Sequence, residues 1–291
     1  MKNTGSTVLA MLRLMRPKQW VKNILVLFPL LFSLQLLDVP SILLALLACA
    51  SFCLASSSVY AFNDIADRKK DRNHPKKCNR PVASGAVSVA AAAILGAILL
   101  VCAFVLAFFV SLPFMAVLLA YIVLNGAYSL GLKHVPIIDV LCVAAGFVLR
   151  VVAGAVAIDC FVSPWIVLCT FMLTLFLAIQ KRAGEIDESD GLQRQSRKSL
   201  KFYTTSLLGD FSLIAAGLTI ISYSLYTFTV GETVYMMLTI PFVVFGLFRY
   251  LMLAKAKAGV EAPDEMLFAD KPLLIDVALW IVACALILYL T

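Results

Sequence analysis

Apolar stretches of near-membrane length follow one another along the whole chain, near 23–38, 40–62, 88–110, 112–130, 136–158, 162–181, 205–228, 233–253 and 272–290. Each approaches the ~20 residues that a helix needs to cross the hydrocarbon core of a bilayer. The pattern predicts an all-α integral membrane protein, a bundle of about nine transmembrane helices. Pro29 interrupts the first run. Charged residues are concentrated in the joints, and no soluble appendage of useful size is expected. One membrane domain over 1–291 is expected, with chemistry in the polar connections near 63–87, 131–139 and 181–204. The two longest connections follow the second and sixth runs, which suggests two related halves, although the segments are unlike in sequence.

Charge orients this arrangement. The N-terminal segment and the connections near 63–87, 131–135, 181–204 and 254–271 hold every Lys and Arg except Arg150 and Arg249. The intervening connections, around Asp38, Ser111–Pro113, Asp159–Ser163 and Glu232, hold none. By the positive-inside rule the N-terminus and the basic connections are expected in the cytoplasm and the C-terminus outside, which requires an odd number of spans. No cleavable leader is expected, since Lys2, Arg13, Arg16, Lys18 and Lys22 are scattered ahead of the first run.

Composition removes other classes. Apolar residues make up 62% and charged residues 14%, which excludes an ordinary soluble domain. Orientation and contact with anionic membrane lipids account for the net charge of +7, so no nucleic-acid partner is implied. The eight cysteines lie mostly inside the apolar runs. Cys49 and Cys53 are one turn apart, but nothing completes a zinc-ligand pattern, and packing is the expected role.

The second run ends in Asn63-Asp64-Ile65-Ala66-Asp67-Arg68-Lys69-Lys70-Asp71. On a continuous helix Asn63, Asp67 and Asp71 form one row with Asp64 beside them. Like charges so close repel unless a cation holds them. A few hard oxygen ligands at this spacing suit Mg²⁺ shared with substrate phosphates. His74, Lys76 and Arg80 follow in His74-Pro75-Lys76-Lys77-Cys78-Asn79-Arg80-Pro81, and the cations there can grip phosphate directly. The blander reading is a solvated helix with charges paired one turn apart. The stretch points to a membrane enzyme handling a diphosphate.

Three further groups follow. Tyr128 closes the fourth run, Lys133 occupies the next connection and Asp139 opens the fifth run. Lys133 can meet a phosphate and Tyr128 can donate a hydrogen bond, or they serve as orientation charge and interfacial anchor. Lys181 and Arg182, with Glu185 a turn on, can clamp an anion or flank the sixth run as ordinary positive charges. Lys18 and Lys22, one turn apart around Trp20, can receive a lipid phosphate or anchor the chain. Arg150 lies well inside the fifth run, about three turns beyond Asp139. A charge there is costly and points to a polar cavity or a structural ion pair. Gly146 and Gly154 on the same run offer small faces for close packing.

Together these residues resemble the UbiA-type membrane prenyltransferase superfamily, whose mark is N-D-x-x-D-x-x-x-D, here Asn63, Asp64, Asp67 and Asp71. The resemblance implies a helical bundle around a cytoplasm-facing cavity in a bacterial inner membrane, with Mg²⁺ as cofactor. The family's second acidic motif, D-x-x-x-D after the sixth span, is replaced by Lys181-Arg182-x-x-Glu185. That departure is similar to one branch, the decaprenyl-phosphate phosphoribosyltransferases, as are the stretches Arg16–Asn23, His74–Pro81, Tyr128–His134 and Gly146–Arg150. The branch moves 5-phosphoribosyl from phosphoribosyl pyrophosphate to a polyprenyl phosphate and releases pyrophosphate.

The resemblance then implies roles. Asp64, Asp67 and Asp71 hold Mg-pyrophosphate, oriented by Asn63. Arg80, Lys133, Lys181 and Arg182 grip phosphates, while Lys18 and Lys22 meet the lipid headgroup. His74, Lys76, Tyr128, Asp139, Arg150 and Glu185 complete the expected substrate site. Two other readings stand beside this one. A prenyltransferase acting on an aromatic acceptor would use an allylic diphosphate. A lipid-phosphate carrier would bind without releasing pyrophosphate.

Overall fold

The computed structural model describes residues 4–75, 77–187, 198–229, 234–256 and 263–290. Lys76 and residues 188–197 of the 181–204 connection lie outside them. The described residues are helical and contain no strand. In chain order the α-helices begin with α1 (Thr4–Met15), α2 (Phe28–Phe32), α3 (Val39–Ala66), α4 (Arg68–Arg72), α5 (Val89–Val110) and α6 (Leu112–Leu130). There follow α7 (Ile138–Ala157), α8 (Pro164–Asp187), α9 (Thr205–Thr229), α10 (Ile240–Ala256), α11 (Pro263–Ala269) and α12 (Lys271–Leu290). Among the described residues eight helices are long and apolar enough to cross a membrane: α3, α5 to α9, α10 with the turn before it, and α12.

The first predicted run takes another form. Pro17–Leu27 is a 3₁₀ helix, continued by the short α2. An α-helix through Pro29 would leave the Leu25 carbonyl facing the proline ring instead of an N–H. The Phe28 N–H takes that carbonyl instead, three residues on, which is the 3₁₀ pattern. Because a 3₁₀ helix rises faster per residue, Pro17–Phe32 is still about 30 Å long. Only 23–32 of the predicted run is helical, and the run is not among the eight candidate spans of the described residues, where about nine were expected.

The chain divides into two compact units, Met1–Leu130 with Leu149–Cys160, and Gly131–Val148 with Phe161–Thr291. In the first unit, α3 starts on the Asp38 side chain, which accepts the Ser41 N–H, with Pro40 in the first turn. Its buried face is built from Ala and Ser, which lets α5 pack close. Ser51 donates to the Ala103 carbonyl at 2.9 Å and Ser58 to that of Gly96 at 2.7 Å. A core of Phe52, Phe114, Leu118, Tyr121 and Ala153 fills the unit's interior. Near its polar end, Ala10 and Leu14 of α1 pack with Ala61, Val82 and Ala92.

In the second unit Phe176, Leu208, Leu247, Tyr250 and Leu273 form the core, with the Phe176 and Tyr250 rings edge to face at 5.5 Å. Arg249, the other cation inside an apolar run, pairs with Asp270 through two bonds of 2.8 and 3.1 Å. Asp270 also accepts the Leu273 N–H and so caps α12.

Candidate active site

In the first unit the acidic motif lies where α3 ends. The sequence reading puts Asn63, Asp67 and Asp71 one turn apart, and the backbone keeps that spacing, with the Asp67 N–H on the Asn63 carbonyl and the Asp71 N–H on the Asp67 carbonyl, both at 2.9 Å. The α3 helix stops at Ala66, and Asp67 sits in a turn before the five-residue α4. Aspartate is a poor helix former. Asp71 lies seven residues, about two turns, beyond Asp64 and on the same side of the chain. Both are buried, at 5% and 1% exposure, and share Arg80, whose Nη1 lies 2.7 Å from Asp71 and 3.4 Å from Asp64. Asp67 stays half-buried at the turn.

A second arginine closes on Asp64. Arg16 has a left-handed backbone (φ 53°) between α1 and the 3₁₀ segment, stacks on the Tyr60 ring at 4.9 Å and bonds Asp64 Oδ1. Arg16 and Arg80 therefore both bond one oxygen of Asp64, while its other oxygen, Oδ2, is buried with no partner. The Ser129 hydroxyl, at the end of α6, donates to the Asn63 carboxamide oxygen and orients it. His74 accepts the Lys77 N–H at 3.3 Å and so shapes its own loop. Tyr128 is half-buried, Lys18 is exposed, and Lys22 donates to Gln19.

Arg150 is buried in the same unit and bonds neutral groups. Its Nε donates to Asn23 Oδ1 at 2.8 Å and its Nη2 to the Tyr121 hydroxyl at 2.9 Å.

In the second unit Asp139 is fully buried, and both its carboxylate oxygens are held by the protein. Oδ2 accepts from Arg182 Nε at 3.0 Å and from Ser199 at 3.2 Å, and Oδ1 accepts from Tyr203 at 2.7 Å. Arg182, 3% exposed, reaches Glu185 with Nη1 at 2.7 Å. The guanidinium is thus bracketed by two carboxylates. Tyr203 also accepts the Ile137 N–H at 2.6 Å. Ile137 has φ 68°, a strained setting for a β-branched residue, and this bond helps to hold it. Burial foremost, and the Asp139 bond with it, push the Tyr203 hydroxyl up to about 12. It is a proton donor at neutral pH. Lys133 is half-buried and Lys181 exposed.

With this geometry in view, the sequence matches the UbiA prenyltransferase family over residues 25–270. The chain belongs to that family. One relative, the decaprenyl-phosphate phosphoribosyltransferase of Corynebacterium glutamicum, is 33% identical, covering 96% of this chain and 87% of that protein. The Mycolicibacterium smegmatis protein of the same name is 32% identical, covering 94% and 91%. A UbiA homologue from Archaeoglobus fulgidus, solved with GPP and Mg²⁺, matches in fold with a TM-score of 0.76 at 22% identity, over 96% of this chain and 99% of that one. This UbiA-family chain is a multi-pass, all-helical membrane enzyme.

The residues present fit a divalent cation. Among the described residues no three acidic, His or Cys side chains group into a ready-made cage. Mg²⁺ needs none, since it binds through one or two carboxylates and completes its shell with substrate phosphates and water. The buried, unpartnered Asp64 Oδ2 is a hard oxygen of the right kind.

Sequence reasoning did not single out Ser129, Ser199 or Tyr203. Arg16 carries no signal of its own beyond its place in the Arg16–Asn23 stretch. The hydroxyl residues carry no spacing signal, because their partners lie 60 or more residues away. Arg16 stood in plain sight among other basic residues of the N-terminal segment.

Proposed function

We propose that this enzyme transfers the 5-phosphoribosyl group of phosphoribosyl pyrophosphate to a polyprenyl phosphate and releases pyrophosphate. The observation that carries this reading is a likeness along 96% of the chain to a protein named for that reaction. The acidic end of the first unit supports it, with an arginine-neutralised carboxylate pair and one buried oxygen still unpartnered.

In the reaction the C1–oxygen bond breaks with its electron pair leaving on pyrophosphate. The sugar passes through an oxocarbenium-like state, and an oxygen of the lipid phosphate forms the new bond to C1. Bound Mg²⁺ supplies charge neutralisation for the departing pyrophosphate. Asp64, Asp67 and Asp71 hold the cation, with Asn63 oriented by Ser129. Arg80 moves its charge between carboxylates and phosphate. Lys18 and Lys22 receive the lipid phosphate. In the second unit Lys133 and Lys181 grip phosphate as point charges. Arg182 is held ready by Asp139 and Glu185, and Asp139 acts through it as a positioning residue. The protein works in a bacterial inner membrane with its N-terminus and these basic connections in the cytoplasm.

The test measures Mg²⁺-dependent binding as well as turnover. Purified protein should bind phosphoribosyl pyrophosphate with Mg²⁺ and convert it only when polyprenyl phosphate is added. Binding of an allylic diphosphate in its place, with turnover on an aromatic acceptor, would overturn the proposal.

A further inference from the structure

We infer that Arg150 is a positioning residue for the lipid-phosphate site, acting through the Pro17–Leu27 segment without touching substrate. The inference rests on the proposed role of Lys18 and Lys22.

The segment is unusual in itself. It holds 3₁₀ form for 11 residues, although such helices seldom exceed 3–4 residues because their hydrogen bonds are poorly aligned. It therefore depends on outside contacts to keep its shape. With three residues per turn, every third side chain eclipses the first. Such a stripe is formed by Trp20, Asn23 and Val26. Trp20 donates to Ser57 at 3.0 Å, Asn23 donates to Ser56 at 3.2 Å and to Cys53 at 3.3 Å, and Val26 is buried. Gln19 and Lys22, also three apart, bond each other on the neighbouring stripe.

Arg150 locks the middle of the anchoring stripe. Its bond to Asn23 at 2.8 Å is buried, and the guanidinium lies 4.7 Å over the Tyr121 ring while also bonding its hydroxyl. Tyr121 in turn packs on Phe52 at 5.1 Å. One turn further along α7, a Cβ on Gly154 would fall 2.0 Å from the Val26 carbonyl. Only glycine admits the segment so close. Arg150 and Gly154 thus fix Asn23 and Val26 from one helix face, and with them the direction of Lys22, the residue before Asn23. Relaxing the segment to α form would turn successive side chains by 100° in place of 120° and swing Lys22 away.

Two readouts test this on the full-length purified protein. The first is steady-state kinetics of R150K, R150M and G154A, varying each substrate in turn. The KM for polyprenyl phosphate should rise about tenfold, the scale of a lost charge-assisted contact, with the KM for phosphoribosyl pyrophosphate unchanged. R150K, which keeps the charge, should be the mildest. Equal rises in both KM values, or a fall in kcat alone, would overturn the inference. The second needs no activity. In a W165F/W280F background Trp20 reports the segment, and R150M and G154A should shift its emission to the red and lower its anisotropy. An unchanged Trp20 signal would overturn the inference whatever the substrates prove to be. A wild type inactive on these substrates, but with the Trp20 shift present, would fault the proposed function and leave the clamp standing.

Discussion

Asp139 and Arg182 meet at 3.0 Å, carboxylate to Nε, with side-chain exposures of 0% and 3%. Taking two charges out of water is expensive, and breaking such a pair leaves a bare buried charge. R182M should therefore destabilise the protein by ~3–5 kcal/mol. Thermal unfolding in detergent checks this. The D139L/R182M double variant should regain most of the stability while remaining inactive. Recovery of activity in the double variant would show that Arg182 takes no part in phosphate binding.

Tyr203 gives a prediction on pH. Its hydroxyl is raised from 10.0 to about 12 in the folded protein. The stability this protects is complete below pH 10, where folded and unfolded chains both keep the proton. It is lost as pH rises from 10 toward 12, because only the unfolded chain then ionises freely. Y203F should be less stable at neutral pH by ~1–3 kcal/mol, since the Ile137 N–H loses its acceptor. It should also lose less of its stability than wild type between pH 10 and 12. Parallel alkaline curves for the two proteins would contradict the assignment.

Asp64 carries the heaviest chemical prediction. D64A removes the unpartnered oxygen and the acceptor shared by Arg16 and Arg80. Turnover should fall by at least about a hundredfold, with a higher Mg²⁺ concentration needed for half-maximal rate. A fall in rate without any change in Mg²⁺ dependence would remove Asp64 from the metal site.

Ser129 tests the orientation of Asn63. S129A should lower turnover by roughly tenfold, as removing outer support from a metal site does, with thermal stability little changed. A full-rate S129A would mean that the Asn63 carboxamide needs no support.

Much of the fold was legible because bilayer crossing writes itself as length and apolarity. Runs such as 88–110 and 112–130 reappear almost unaltered as α5 and α6. The run at 23–38 did not, because Pro29 redirects the Leu25 carbonyl, a local effect that hydropathy averages away. The acidic motif is legible as a spacing of carboxylates, but the arginines that pair with them are not. Helical spacing gives the order of the carboxylates, whereas the pairing of Asp64 and Asp71 through Arg80 is a tertiary contact. Arg150 announced itself by its cost in the membrane. Its partners did not, since Asn23 lies 127 residues away and neither it nor Tyr121 carries an opposite charge. Asp139 was noticed for its position at the start of a span, while its complete enclosure by Arg182, Ser199 and Tyr203 is a tertiary fact.

The most direct test offers the purified protein, with Mg²⁺, two donor and acceptor pairs and identifies the lipid product by mass. One pair is phosphoribosyl pyrophosphate with polyprenyl phosphate, and the other is an allylic diphosphate with an aromatic acid. The account predicts a polyprenyl phosphate heavier by one phosphoribosyl group, with pyrophosphate released in equal amount, and no product from the second pair. A prenylated aromatic product, with none from the sugar donor, would contradict it.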